Sequence, residues 1–212
     1  MIEINASALQ GLARLNKNIK EKALKRATFA TIKKTTKEAK KISTGFLSKR
    51  VNIKKSGAKD GDRLTPGLNQ MVIIKESKVT ANSPINEMIG TVLMQNKPMS
   101  MIHFVVGSKF PRPQKGIKIS SRVKVKVKVY KGRATTLGRG FIAKAKNGYY
   151  QLFNRSKSTG KLRKYATPSI YKMFKNDDVM VKKTKTHVTK YYQQTFAKEF
   201  ISKLRLLPKF LR

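Results

Sequence analysis

No cysteine occurs in the 212 residues. That absence excludes disulfide frameworks, zinc ribbons and thiol nucleophiles together. It fixes no compartment, because secreted and cytosolic chains both do without Cys. Carboxylates are scarce as well. Ten Asp and Glu stand against 49 Lys and Arg, and the whole stretch from Met88 to Asn176 contains neither acid. General acid–base pairs and hard-metal sites are built from carboxylates, so this middle stretch supplies none. Long apolar runs are missing too. No window approaches the roughly 18 apolar residues of a membrane span, and the opening MIEINASALQGLARLN has no apolar run of signal-peptide length. The expectation is a soluble protein made in the cytoplasm, with no membrane partner.

Catalytic motifs are absent in the same way. Neither G-x-S-x-G nor G-x-x-x-x-G-K-[ST] occurs. LGRGF, 137–141, lacks the third glycine of G-x-G-x-x-G and precedes a strand pattern, not a helix. Asp60-Gly61-Asp62 resembles the start of a calcium loop, but its twelfth position is Met71, and Lys59 and Arg63 flank it; a solvated turn is the simpler reading. Asp177-Asp178 suits a helix N-terminus at least as well as half of a metal site. His103 sits in an apolar run and His187 on a helical pattern, with no Cys or carboxylate close in sequence. The chain reads as a non-enzyme with no metal, cofactor or small-molecule substrate.

What is present is positive charge and enough apolar residues for a core. The formal net charge is +39 and 39% of residues are hydrophobic. Such a charge opposes compaction by self-repulsion and favours nucleic acid or acidic proteins as partners. Ribosomal proteins, histone-like proteins and virion components near packaged genome share this balance.

Periodicity predicts an α+β fold: an antiparallel β-sheet or sandwich flanked by N-terminal helices and a long C-terminal helix. The expected layout is a single domain, 1–212. Residues 1–45 are helical, with Ser7 and Gln10 as a capping box, Leu24, Ala27, Ala30 and Ala39 on one face, and Gly45 as C-cap. Residues 46–70 form a basic loop or arm, punctuated by Gly57, Gly61, Pro66 and Gly67. Residues 71–165 form a β core, with strands at 71–80, 88–94, 101–107, 122–130, 140–145 and 149–156. Asn147-Gly148 is a hairpin signal, since both residues tolerate positive φ; turns are also expected at Lys131-Gly132 and Ser158-Thr159-Gly160. Residues 168–206 are helical. Pro168-Ser169 opens a short helix, Asp177 or Asp178 caps the last one, and Val181, Val188, Tyr192, Phe196, Phe200 and Leu204 share a face.

RVKVKVKVYKGR, 122–133, stands out. Val123, Val125, Val127 and Val129 fall on one strand face, and Lys124, Lys126, Lys128 and Tyr130 on the other. Same-face lysines sit roughly 7 Å apart and repel by about 0.6 kcal/mol per pair in water, less with salt. A solvated face tolerates that, so water, a polyanion and a partner protein all remain open. The candidate polyanion- or partner-facing residues are Lys124, Lys126, Lys128, Lys131, Arg133, Arg139, Arg155, Lys161, Arg163 and Lys164. The aromatics interleaved with them, Tyr149, Tyr150, Phe153 and Tyr165, fit either base stacking or core packing.

The order of these motifs resembles the phage minor tail protein Z family, tail completion proteins of long-tailed phages. The resemblance is carried by GLARLNKNIKEKALKRATFATIKKTTKEAKK and FLSKRVNIKKS near the start, then MIHFVVG and VKVKVKVYKGR. GRGFIAKAKNGYYQLFNRS, TGKLRKY and TPSIYKMF complete it, the joint pattern being G-F-I-A, N-G and P-S-I-x-x-M. It spans about 5–206, with 55–100 the weakest part, and Lys164-Tyr165-Ala166 stands where the family often has proline. The resemblance implies a structural virion protein of the neck, completing the head-proximal end of the tail for joining to the DNA-filled head. It implies a homo-hexameric ring beside the tail terminator, head-completion or stopper proteins and the tail tube, with genomic DNA in the channel. Read from the residues alone, the alternative is a sequence-independent nucleic-acid-binding protein, histone-like or ribosome-associated.

Overall fold

The computed structural model describes residues 2–5, 21–56, 58–60, 63–75, 80–106, 125–138, 140–146 and 150–205. In chain order its strands are β1 (Ile2–Asn5), β2 (Ala58–Asp60), β3 (Arg63–Thr65), β4 (Val72–Lys75), β5 (Ile89–Met94) and β6 (Val105–Val106). They continue as β7 (Val125–Val127), β8 (Thr135–Leu137), β9 (Gly140–Lys144), β10 (Tyr150–Arg155) and β11 (Leu162–Lys164). The helices are α1 (Glu21–Arg50), α2 (Leu68–Met71), α3 (Ile170–Lys175) and α4 (Asp178–Arg205). All strand pairings among the described residues are antiparallel. They give sheets in the orders β1-β5-β4, β6-β7-β8 and β11-β10-β9, and the hairpin β2-β3. This is the expected α+β class: a helix, small antiparallel sheets, and a long C-terminal helix.

The chain divides into two compact units, 1–46 with 69–95 and 174–212, and 47–68 with 96–173. In the first unit, α1 begins with Glu21 and ends with Lys49 and Arg50, charges that complement the helix dipole. Lys25, one turn on, pairs with Glu21 and holds that carboxyl below its usual range, through the hydrogen bond first and charge second. Leu24, Ala27, Ile32 and Ala39 are buried along the helix. β5 alternates, with Gly90, Val92 and Met94 inward. Its register sets Val72 opposite Met94 and Ile74 opposite Val92. At Gly90 the strand approaches α1 so closely that a Cβ would collide with Thr36 Oγ1 and Ile32 Cγ2. On α4 the buried stripe is Met180, Thr184, Val188 and Tyr192, spaced by four; Phe196 and Phe200 continue the stack of rings at 6.4 and 5.6 Å. Lys34 Nζ meets Glu199 Oε1 at 2.5 Å, tying α4 to α1.

In the second unit Leu47, Val51, Ile53 and Leu68 are buried, as are Ile102, Phe104, Val125, Val127, Ile142, Leu152 and Ile170. The β9–β10 register runs from Tyr150 opposite Lys144 to Asn154 opposite Gly140. It is a hairpin, although Asn147-Gly148 itself lies outside the described residues. Ser169 caps α3, its hydroxyl accepting from the Lys172 N–H at 3.1 Å, as Pro168-Ser169 predicts.

Several local expectations change. Gly45 does not end the first helix, which runs on to Arg50. Ser43 and Thr44 donate their hydroxyls back to the Ala39 and Lys40 carbonyls, at 2.7 and 2.9 Å, so their side chains serve the helix interior and signal no stop. Burial of Leu47 then rewards the extra turn. The segment 46–70, expected as a loop or arm, accordingly starts inside α1. It then buries Val51 and Ile53, forms the β2–β3 hairpin, and donates the Leu68 N–H to the Lys54 carbonyl. Of the described residues of MIHFVVG, Val105–Val106 are strand and Met101–Phe104 are a 3-10 turn that buries Ile102 and Phe104. Short apolar runs do not distinguish the two by period. The capping box at Ser7 and Gln10 lies outside the described residues, and β1, β8 and β11 had no period long enough to announce them.

Candidate polyanion and partner surface

Among the described residues the Val/Lys stretch forms a strand at Val125–Val127, with the expected alternation. Val125 and Val127 are each 3% exposed, and Lys126 between them is solvent-facing. The register aligns Lys126 with Val106 of β6 and Thr136 of β8, both exposed. β7 ends at Val127, but backbone pairing continues beyond it. The Lys128 N–H donates to the Phe104 carbonyl at 2.7 Å and its side chain is half-buried. Val129 is half-buried too, its carbonyl accepting from the Asn52 N–H at 2.9 Å. Tyr130 bridges Val51, and the Lys131 N–H donates to the Arg50 carbonyl. Lys128 opposite Phe104 keeps the β6–β7 register and Tyr130 opposite Val51 is an antiparallel bridge, so pairing passes from β6 to residues 50–52, and the lysine row is half-covered at Lys128. Lys131 and Arg133 instead stand exposed around a turn whose Gly132 takes φ +89°, a value that favours glycine. Val123, Lys124 and Arg139 lie outside the described residues.

A second group of cations sits on the β10–β11 hairpin. Its turn closes with the Gly160 N–H on the Ser156 carbonyl, and Gly160 takes φ +62°. Arg155 Nη1 donates to the Gly160 carbonyl at 3.2 Å, bracing the turn. Lys161, Arg163 and Lys164 are exposed, and Leu162 among them is 51% exposed. Among the described residues, none of Lys126, Lys128, Lys131, Arg133, Lys161, Arg163 and Lys164 forms an ion pair. The eight described candidates therefore resolve into a sheet-and-turn group and a hairpin group of the same unit, with Arg155 in a bracing role. Sequence reading missed the aliphatic members of these surfaces, Val106 and Leu162. A leucine flanked by Lys161 and Arg163 was the available signal. Such mixing suits a protein surface as well as a polyanion.

The aromatic candidates are half-buried. Phe153 packs on Phe141 with centroids 6.1 Å apart, and Tyr150 and Tyr165 are each partly covered; Tyr149 lies outside the described residues. Rings held this way fill the unit more than they present flat faces to bases. The acidic candidates have structural work. Asp177 Oδ1 accepts from the Met180 N–H at 3.0 Å and caps α4, with Asp178 in its first turn. Asp60 stands opposite Arg63 in the backbone register of the β2–β3 hairpin, and Asp62 lies outside the described residues. His187 Nε2 lies 3.4 Å from Glu38 Oε1, a neighbour that sequence separation had hidden. Among the described residues no three His, Cys, Asp or Glu gather as a metal site, and no helix is long and apolar enough to cross a membrane.

Comparison with known proteins adds one finding. The profile of the family described as prophage minor tail protein Z matches residues 7–209, nearly the whole chain. Searches of the curated proteins and of the solved structures find no match. With a match of that extent, the chain belongs to the prophage minor tail protein Z family and is a structural protein of the phage tail.

Proposed function

We propose that this tail protein completes the head-proximal end of the tail, forming a symmetric ring of six copies through which the genome passes on its way from the filled head. The observation that carries the reading is the basic surface of the second unit, Lys126, Lys131, Arg133, Lys161, Arg163 and Lys164, exposed and without an ion pair among the described residues, in a stretch with no carboxylate from Met88 to Asn176. Closing six such chains into a ring concentrates positive charge around the symmetry axis. DNA in the channel, or acidic faces of the tail terminator, the stopper and the tail tube, supplies the compensating charge. The family match supports the tail, and the charge supports the position within it.

Cryo-electron microscopy of intact virions tests the reading: density for this chain is expected as a ring at the head–tail junction. Density along the tube or at the distal tip overturns it. Charge reversal at Lys126, Arg163 and Lys164 is expected to leave tails assembled but joined to heads poorly. If isolated chains instead bind duplex DNA tightly without assembling, with affinity falling steeply as salt rises, the free-standing nucleic-acid binder is the better reading.

A further inference from the structure

A groove of about 310 Å³ opens in the first unit between α1 and the sheet. Phe29 and Ile32 from α1, with Ile74, Met88 and Ile89 from the sheet side, form its apolar lining. Lys33 and Lys37, one helical turn apart, and Lys75 at the end of β4 complete it, and all three are exposed. None of the three has an ion-pair partner among the described residues, whereas Lys25, Lys34, Lys41 and Lys203 each meet a glutamate. Glu87, the described carboxylate adjacent in sequence to the groove, is exposed on its 3-10 turn and pairs with none of them. β4 is an edge of its sheet, with β5 on one side and no strand on the other among the described residues.

We propose that this groove docks an extended acidic segment of a partner protein, seating an apolar side chain against Phe29 and Ile74 and its flanking carboxylates on Lys33, Lys37 and Lys75. The volume suits one or two side chains, at the low end for ligand sites. The free edge of β4 offers backbone hydrogen bonds to an added strand, which gives such segments affinity without demanding sequence. Nucleic acid fits poorly, because bases stack on flat aromatic faces and Phe29 is the single aromatic residue of the lining. A second copy of this chain also fits poorly. Its net charge is +39, and Glu21, Glu38 and Glu199 are already engaged with cations. The inference stands apart from the ring reading, which is judged on virions.

Two labelled peptides test it on the full chain at physiological salt. One reads Glu-Asp-Leu-Phe-Asp-Glu-Glu; the other replaces Leu-Phe by Gly-Ser at equal charge. By fluorescence anisotropy the anchored peptide is expected to bind about tenfold more tightly, the effect of burying one large apolar side chain. Lys33→Glu with Lys37→Glu, both on an exposed face, is expected to abolish that advantage while circular dichroism stays unchanged. Lys126→Glu with Lys164→Glu is expected to preserve it. Equal affinity of the two peptides, or an advantage that survives the Lys33 and Lys37 reversals, overturns the proposal and leaves only diffuse attraction to a basic protein.

Discussion

Tyr192 on α4 is 9% exposed, with a hydroxyl that has no hydrogen-bond partner among the described residues. Burial pushes its ionisation up to about 12, from a usual 10.0. Below pH 10 the ring is neutral whether the chain is folded or unfolded, so it lends no pH dependence. Above pH 10 the unfolded chain releases the proton and the folded one keeps it, so stability falls between the two values and levels off beyond. The loss attributable to this ring approaches about 3 kcal/mol. Tyr192→Phe removes both the orphaned hydroxyl and this titration. It is expected to be neutral or stabilising by about 1 kcal/mol at pH 7, and its advantage over the parent is expected to widen between pH 10 and 12 in denaturant titrations. An advantage that stays constant across that range contradicts the assignment. Tyr192 was legible as an inward residue from its spacing with Val188 and Phe196. The buried Thr28, Thr31, Thr35 and Thr184 were not, because a periodicity reading counts threonine as polar. Their hydroxyls also lack partners, so small size on a crowded helix face, not hydrogen bonding, explains their burial.

Two glycines give the elements opposite expectations. Gly45 lies inside α1, and a Cβ there would meet nothing within 4 Å. Gly45→Ala is expected to stabilise by about 1 kcal/mol through helix propensity, visible as a shift in the denaturation midpoint. Gly90 has no free space toward Thr36 and Ile32. Gly90→Ala must push β5 off α1 and is expected to destabilise by about 1–3 kcal/mol. The reverse order of these two variants would mean that the helix ends near Gly45 after all. The pair also shows where sequence reading works at this scale. The β9–β10 hairpin and the capped helices at Ser169 and Asp177 were legible because their signals are local: alternation, a turn dipeptide, an N-cap. The continuation of α1 was not, since it depends on the distant burial of Leu47. Nor were β8 and β11, three-residue strands whose existence rests on a neighbour's free edge. The same limit applies to the site. Lys126 could be assigned to an exposed face by its valine neighbours, whereas the half-burial of Lys128, whose N–H bonds the Phe104 carbonyl, depends on residues distant in sequence. The groove beside β4 joins residues 29–37 to 74–90, which no sequence window spans.

Across the whole chain, electrostatics is governed by a net charge of +39. Like charges crowded on folding destabilise the compact state, and added salt screens that repulsion over about 8 Å at physiological strength. Salt also weakens favourable ion pairs such as Lys34–Glu199. That pair raises the Lys34 ionisation, through its hydrogen bond first and charge second, but exposed pairs contribute little. Repulsion is spread over the many cations without partners, so screening it outweighs the lost pairs. The melting temperature is therefore expected to rise by several degrees between about 0.05 and 0.5 M sodium chloride. Calorimetry of the full chain checks this, with a charge-reversed Lys126, Arg163 and Lys164 variant alongside. The variant carries fewer like charges and is expected to start higher and gain less from salt. A melting temperature that falls with salt, or a variant that gains as much as the parent, would show that the basic surface of the second unit is already neutralised from within the chain. The proposed pairing with DNA or acidic neighbours would then lose its ground.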